Sequence, residues 1–188
     1  DSAWPALDAS AGNSASYLVL DLDGDQRDDL VHVRFDFASN DGHNTIVQVL
    51  RSRGDGQFDE HTQRLTQPRI DAGRYVPADA NGDGLGDLGL VEAPPGQGPS
   101  VRWLVSRGDG SFHVRGDALT GPLSNALEDR ATAQLIDVDR DGRSDVVHLA
   151  TTPMGTLGLV LGWNTSTGIT PQMVPGLATP VRRAHQVQ

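Results

Sequence analysis

Three acidic loops of nine residues carry the residue types and spacing that could do chemistry in this chain. They run from Asp21 to Asp29, from Asp79 to Asp87 and from Asp137 to Asp145, and each lies 58 residues from the next. A motif that recurs at one fixed period of this length indicates a repeat architecture. Oxygen-bearing side chains occupy positions 1, 3, 5 and 9 of every loop. In a tight loop such side chains converge on one point, as proteins do to surround a hard cation.

Calcium is the cation that these ligands favour. All of them are oxygen, which argues against zinc and copper, and magnesium prefers fewer protein ligands and keeps its waters. An EF-hand is excluded because position 12 carries no glutamate and strands, not helices, flank the loops. Position 7 adds a backbone carbonyl. We therefore predict three Ca²⁺ sites, with these ligands: Asp21, Asp23, Asp25, Arg27 and Asp29; Asp79, Asn81, Asp83, Leu85 and Asp87; Asp137, Asp139, Asp141, Arg143 and Asp145.

The net charge of −10 originates in the same loops. Eleven of the 25 acidic residues occupy candidate ligand positions, and the other 14 nearly balance the 15 basic residues. Four carboxylates within a few ångströms repel each other strongly without a cation. An Asp/Gly turn that only caps backbone is the competing interpretation, and three loops with the same offsets disfavour it. The lack of a basic stripe argues against nucleic acid as a partner.

The bulk composition excludes several further classes of site. The chain has no cysteine, which rules out disulfide frameworks, thiolate metal sites and cysteine nucleophiles. No apolar run approaches the roughly 20 residues of a membrane span. No phosphate-binding loop, zinc motif or nucleophile-elbow motif is present.

Short β-rich segments surround each loop and must position it. In the first repeat they are Ser16–Leu20, Leu30–Phe35, Thr45–Leu50 and a fourth that begins at Gln57–Phe58, and the second and third repeats copy this pattern. Four short antiparallel strands at a fixed period are one blade of a β-propeller. The only helical pattern is at 123–131, about one turn.

The sequence therefore predicts an all-β fold of three four-stranded β-propeller blades. Their expected bounds are 16–73, 74–131 and 132–175, with an inter-blade linker or strand at 1–15 and a C-terminal linker or tail at 176–188. Propellers close with four to eight blades. Three blades thus predict a partial propeller, completed by further blades of the same parent chain or by a homo-oligomer.

Three departures from strict repetition carry expectations of their own. Gln26 stands at the sixth loop position, where the other loops have Gly84 and Gly142, so loop one is expected to be strained. Asn81 removes one charge, so loop two is expected to bind its cation more weakly. The third hairpin turn, expected at 164–167, lacks the acidic Gly-Asp-Gly form of the first two.

The loops, their period and the Gly-Asp-Gly-x-Phe turns at 54–58 and 108–112 resemble the FG-GAP/VCBS repeat family. That family is known from integrin α-subunit propellers and many secreted bacterial proteins, and the resemblance covers about residues 16–175. It implies that each loop joins the first two strands of a blade and that calcium stiffens this joint.

The function implied is a structural or binding scaffold, not an enzyme, in a secreted or surface-exposed bacterial protein. Such modules serve adhesion, toxin shells or protein and glycan interaction. Two alternatives stay open: a carbohydrate-binding lectin, and part of a propeller-type polysaccharide lyase or hydrolase.

Other candidate residues have plainer interpretations. Arg-Gly-Asp occurs at 53–55 and 107–109, and we expect this tripeptide only to precede the turn glycine. His32 and His148 occupy equivalent positions in two repeats and are expected to be structural. Trp103 is expected in the core, whereas Trp163, near a turn, is the better candidate for stacking on a sugar.

Overall fold

The computed structural model describes residues 16–36, 44–66, 75–92, 100–119, 133–151 and 156–180. The predicted linker at 1–15, the predicted helical turn at 123–131 and the end of the predicted tail, 181–188, lie outside the described residues. The described residues form twelve β-strands and contain no helix that could cross a membrane.

The twelve strands form three antiparallel sheets of four strands, each a simple meander. The strands of the first sheet are β1 (Ser16–Leu20), β2 (Asp29–Asp36), β3 (Asn44–Ser52) and β4 (Phe58–Thr66). Those of the second are β5 (Val76–Ala78), β6 (Asp87–Glu92), β7 (Ser100–Ser106) and β8 (Phe112–Ala118). Those of the third are β9 (Gln134–Ile136), β10 (Asp145–Thr151), β11 (Thr156–Thr165) and β12 (Gly168–Pro180). The predicted all-β architecture of three four-stranded blades is confirmed.

Each acidic loop connects the first two strands of its blade. The residue before the loop pairs with the last residue of the loop, as Leu20 does with Asp29, Ala78 with Asp87, and Ile136 with Asp145. The loop is therefore closed at its base by the sheet itself. Its ninth residue is the first residue of a strand, so the sheet itself fixes the backbone of that residue.

Apolar faces of neighbouring blades form the core. Between blades 1 and 2, valines of β2 and β3 pack with leucines of β6 and β7 around the buried Tyr75. Between blades 2 and 3, Trp103 of β7 packs with Val146 and Val160. A strand covered on both faces needs a nearly continuous apolar run, and β7 is buried along almost its whole length. The expected core position of Trp103 is confirmed.

The third hairpin turn is shorter than predicted. Thr165 pairs with Gly168, which leaves only two residues, 166 and 167, in the turn instead of the expected four. Asn164 lies in strand β11, and its backbone N–H donates to Asp145 at 2.8 Å, as the N–H groups of Ser52 and Ser106 do to the ninth aspartates of their blades. Ile169 faces Asn164 as Phe112 faces Ser106, so the expected equivalence between these positions is confirmed.

Gly89, at the interface between blades 2 and 3, provides a test of the packing between these two blades. A Cβ at Gly89 would lie 2.0 Å from Cδ1 of Leu135 in the next blade and 2.9 Å from the Trp103 ring. We expect Gly89→Ala to lower the free energy of unfolding by about 1–3 kcal/mol, as overpacking does. Urea denaturation followed by tryptophan fluorescence measures this loss.

The matched control is Gly116→Ala, because a Cβ at Gly116 in strand β8 meets nothing within 4 Å. Its effect should stay within about 0.5 kcal/mol. Equal effects of the two substitutions would contradict the described contact between blades 2 and 3.

Candidate metal centre

The first aspartate of each loop organises the backbone of that loop. The Asp21 carboxylate accepts hydrogen bonds from the N–H groups of Gly24 and Gln26, both at 2.8 Å. Asp79 and Asp137 accept from the same two loop positions at 2.6–3.1 Å. The loop backbone therefore wraps around this carboxylate through hydrogen bonds of the chain alone.

Such tight wrapping requires left-handed backbone at loop positions 4 and 6. Glycine occupies four of these six positions, but Gln26 and Arg140 both adopt φ of 65°. Non-glycine residues pay roughly 1–2 kcal/mol in this region, which agrees with the strain expected at Gln26. The strain at Arg140 was missed, although the glycine at position 4 of the other two loops was the signal for it.

The side chains at positions 3 and 5 each accept a hydrogen bond from the backbone N–H of the residue two positions further along the chain. Position 5 is also engaged by its neighbours. Asp25 pairs with the Arg27 guanidinium, and Asp83 accepts from the Asn81 amide nitrogen at 2.8 Å. In all three loops, one carboxylate oxygen at position 5 accepts the backbone N–H of position 7 at 2.8–2.9 Å.

The ninth aspartate joins the loop to the third strand of its blade. One oxygen of Asp87 accepts the N–H of Ala80 at 2.8 Å, and the other accepts the N–H of Ser106 at 2.7 Å. Asp29 and Asp145 make the equivalent pair of bonds at 2.8–3.1 Å. All three carboxylates are buried. Sequence reasoning placed these residues as ligands but did not predict this second, structural role.

Carboxylates from positions 1, 3 and 9 converge in two of the three loops. One oxygen from each of Asp21, Asp23 and Asp29 lies within 4.8 Å of the others, and Asp137, Asp139 and Asp145 do the same. Asp25 and Asp141 at position 5 are not part of these groups. In loop two, position 3 is Asn81, whose side-chain oxygen accepts the Asp83 N–H at 3.1 Å.

The carboxylates of the ninth aspartates are buried, where a negative charge is unfavourable. Burial raises the pKa of Asp87 to about 6, against the lowering effect of its two N–H donors. Burial likewise raises the pKa of Asp29 and of Asp145, and neighbouring loop carboxylates add to the rise. At Asp21 burial acts in the same direction, but its several backbone donors prevail and its pKa lies below the usual value. The ninth position therefore lacks a compensating positive charge in the metal-free chain.

Hydrogen bonds also link each loop to the loop of the next blade. The N–H of Gly86 at position 8 donates to the Asp21 carbonyl at 2.7 Å, and Ser144 donates to the Asp79 carbonyl at 2.6 Å. Position 1 of one loop is thus tied to position 8 of the next. Sequence reasoning missed this contact, since it links residues that are 65 positions apart in the chain.

A second hydrogen bond between neighbouring blades is made at the backbone carbonyl of loop position 2. The Ser106 hydroxyl donates to the Leu22 carbonyl at 2.9 Å, and the Asn164 amide donates to the Ala80 carbonyl at 2.9 Å. Both donors lie at the end of the third strand of their blade. The loops and the interfaces between blades are therefore one connected structure.

The remaining sequence candidates lie apart from the loops' carboxylate groups. His32 and His148 are buried on blade strands, as expected of structural residues. The Trp163 indole N–H donates to Gln172 at 2.6 Å, and the ring is half-buried. Arg53, in the exposed turn, pairs with Asp59 of strand β4.

The raised pKa of the ninth aspartates predicts how the metal-free protein responds to pH. Asp87 titrates near 6 in the folded state and near 3.8 when exposed, so the folded state binds the extra proton between these values. Stability should therefore be greater at pH 5.5 than at pH 7.5. Thermal unfolding in a chelating buffer measures this, and a melting temperature that falls on acidification over this range would contradict it.

Comparison with known proteins identifies the repeat. Residues 21–90, from the first aspartate of loop one to the strand after loop two, match the family model of the FG-GAP-like repeat. No curated protein matches the chain at a significant level. The matched segment contains two acidic loops, strands β2, β3 and β4 of the first sheet, and the start of the second sheet. Through this segment, the chain is similar to the FG-GAP-like repeat.

Proposed function

We propose that this chain is a calcium-rigidified repeat scaffold in which each of the three loops binds one Ca²⁺. The family match and the three blades support the scaffold. The observation that carries the calcium assignment is the convergence of three carboxylate oxygens within 4.8 Å in loops one and three.

The size of this group suits calcium. Two oxygens that each lie 2.3–2.6 Å from one Ca²⁺ can be no more than about 5 Å apart. Each group contains only oxygen ligands, and its ninth aspartate is buried with a raised pKa. A divalent cation would supply the missing positive charge. The donor chemistry of the group, the separation of its oxygens and its charge therefore all suit Ca²⁺.

The proposed ligand set in loop one is Asp21, Asp23, Asp25 and Asp29, with the carbonyl of Arg27. The corresponding positions serve loops two and three. The side chains at position 5 engage neighbouring donors, so they would have to turn toward the cation or bind it through water.

Calcium in these loops would stabilise the stack of blades as well as each loop. The residue at position 1 provides its side chain as a proposed ligand, and its backbone carbonyl accepts a hydrogen bond from the next blade. The ninth aspartate reaches the third strand of its own blade. A cation that fixes these two residues therefore fixes both neighbours of the loop.

The proposed setting is a secreted or surface-exposed bacterial protein in which the scaffold presents a protein or glycan surface. Calcium loops of modest affinity are best filled outside a cell, where the ion is plentiful. The acidity of the chain is concentrated in the loops, as a cation-binding scaffold requires. This role needs no catalytic residue, and we propose no enzymatic activity.

Removal of calcium tests the proposal. Three sites filled at about 100 times their dissociation constants would each add about 2.7 kcal/mol, so EGTA should lower the melting temperature by at least about 10 °C. Added Ca²⁺ should restore it, and equimolar Mg²⁺ should not. A melting temperature that is unchanged after verified metal removal would refute calcium binding as the source of rigidity.

A reciprocal pair of substitutions tests the assignment of individual ligands. Asn81→Asp gives loop two the charge of the other loops and should tighten its calcium binding on the order of tenfold. Asp23→Asn gives loop one the charge of loop two and should weaken its binding by a similar factor. Calorimetric titration of the chelator-treated proteins measures both, and effects of the same sign in the two variants would contradict the assignment.

A further inference from the structure

Loop one has guanidinium groups of the chain beside its carboxylates. Nη1 of Arg51, in strand β3, lies 3.7 Å from Oδ2 of Asp23, at loop position 3. Arg27, at loop position 7, pairs with Asp25 at position 5. Two of the four carboxylates proposed as calcium ligands in this loop therefore already have a positively charged neighbour.

The position that Arg51 occupies carries no basic residue in the other two blades. The three blades align at the residue whose backbone N–H donates to the ninth aspartate, which is Ser52, Ser106 or Asn164. The residue before it is Arg51 in blade 1, Val105 in blade 2 and Trp163 in blade 3. The guanidinium of Arg51 is therefore a feature of loop one and not of the repeat.

The groups around Arg51 give its guanidinium two acceptors on different blades. Asp59 lies opposite Arg51 on strand β4, but the Arg53 guanidinium already pairs with Asp59. Nη1 of Arg51 also lies 3.5 Å from the Gly108 carbonyl oxygen, in the turn between β7 and β8 of blade 2. The Arg51 side chain is 35% exposed, so it can move between Asp23 and Gly108 without disturbing the core.

We propose that Arg51 is an internal counter-ion of loop one, that calcium must displace it from Asp23, and that the displaced guanidinium keeps its contact with the Gly108 carbonyl. In the metal-free chain, Arg51 offsets part of the repulsion among the loop carboxylates. A guanidinium and a Ca²⁺ ion beside the same carboxylate repel each other. This inference concerns the regulation of the calcium site proposed above and rests on that proposal.

An internal counter-ion lowers the calcium affinity of its loop, because the ion pair must be broken before the cation binds. A partly exposed ion pair changes an equilibrium by no more than about fivefold. The variant Arg51→Met retains the apolar stem and removes the charge. It should therefore tighten calcium binding at loop one by about two- to fivefold. Loop two stays the weakest site, since the charge lost at Asn81 has an effect on the order of tenfold.

The affinity of each loop can be measured separately. The backbone N–H groups at loop position 4 donate to the first aspartate of their loops, and they belong to Gly24, Gly82 and Arg140. Two-dimensional NMR of the ¹⁵N-labelled chain follows these three signals while chelator-buffered calcium is raised. Arg51→Met should move the midpoint of the Gly24 signal to a calcium concentration about two- to fivefold lower. The midpoints of Gly82 and Arg140 should not move.

Two control variants separate the local ion pair from the overall charge. Arg53→Met removes the same charge two residues further along the chain, but Arg53 pairs with Asp59 and not with a loop ligand, so the Gly24 midpoint should stay where it is. In a chain that already carries Asp23→Asn, the partner of Arg51 is absent. Arg51→Met should then shift the Gly24 midpoint much less than it does in the natural chain, as coupled residues do in a double-mutant cycle.

Thermal unfolding gives a second measurement that does not depend on site-resolved signals. Arg51→Met removes the counter-ion from the metal-free loop, whereas in the calcium-loaded loop it removes a charge that the cation repels. The substitution should therefore lower the melting temperature of the metal-free protein more than that of the calcium-loaded protein. An arginine with a purely structural role would lower both melting temperatures equally.

The outcomes distinguish failure of this inference from failure of the calcium assignment. Calcium binding with a Gly24 midpoint that Arg51→Met leaves unchanged or raises would overturn the role of Arg51 alone. An equal shift in Arg53→Met would overturn it too, because the effect would then be one of overall charge. If none of the three loop signals responded to millimolar calcium, the calcium assignment itself would fail, and the inference with it.

Discussion

The described structure depends on a buried aspartate at the ninth position of each loop. Its two oxygens accept backbone N–H groups from the loop and from the third strand of the blade, as Asp87 does from Ala80 and Ser106. Three segments of one blade therefore meet at one side chain. Burial makes the charge of this side chain costly, and the raised pKa of Asp87, about 6, expresses that cost. The hydrogen bonds of this carboxylate are thus satisfied while its charge is not balanced, and the proposed cation would balance it.

The same residues connect the blades. The carbonyls at loop positions 1 and 2 accept donors from the next blade, while the side chain at position 1 wraps its own loop. Local loop geometry and the spacing of blades consequently cannot vary independently. In repeat proteins, stability is approximately a sum of repeat and interface contributions, and here both contributions pass through the loops. A scaffold of this kind gains rigidity at every interface when its loops are held.

Much of the fold could be predicted because the relevant information is local. The 58-residue period and the alternation of β-rich segments with Gly-containing turns placed all twelve strands, and Ser16–Leu20 matches β1 at both ends. The third turn was predicted too long because Asn164 and Thr165 pair with Ile169 and Gly168 as part of the sheet, and the sequence of this turn gives no local signal for that pairing. The contact between Gly86 and Asp21 was missed because it joins residues far apart in the chain. For the candidate site, spacing predicted that positions 1, 3, 5 and 9 converge, whereas the structure groups the carboxylates of positions 1, 3 and 9 in loops one and three. Spacing gave no sign that position 5 engages its neighbours or that position 9 accepts backbone hydrogen bonds.

The central claim is that the three loops bind calcium, and counting bound ions tests it most directly. Equilibrium dialysis of the chelator-treated chain against radioactive calcium, at physiological salt, gives the number of ions bound per chain. The account predicts saturation at three, with one site weaker than the other two because of Asn81. The absence of saturable binding at millimolar calcium, with the protein folded, would contradict it.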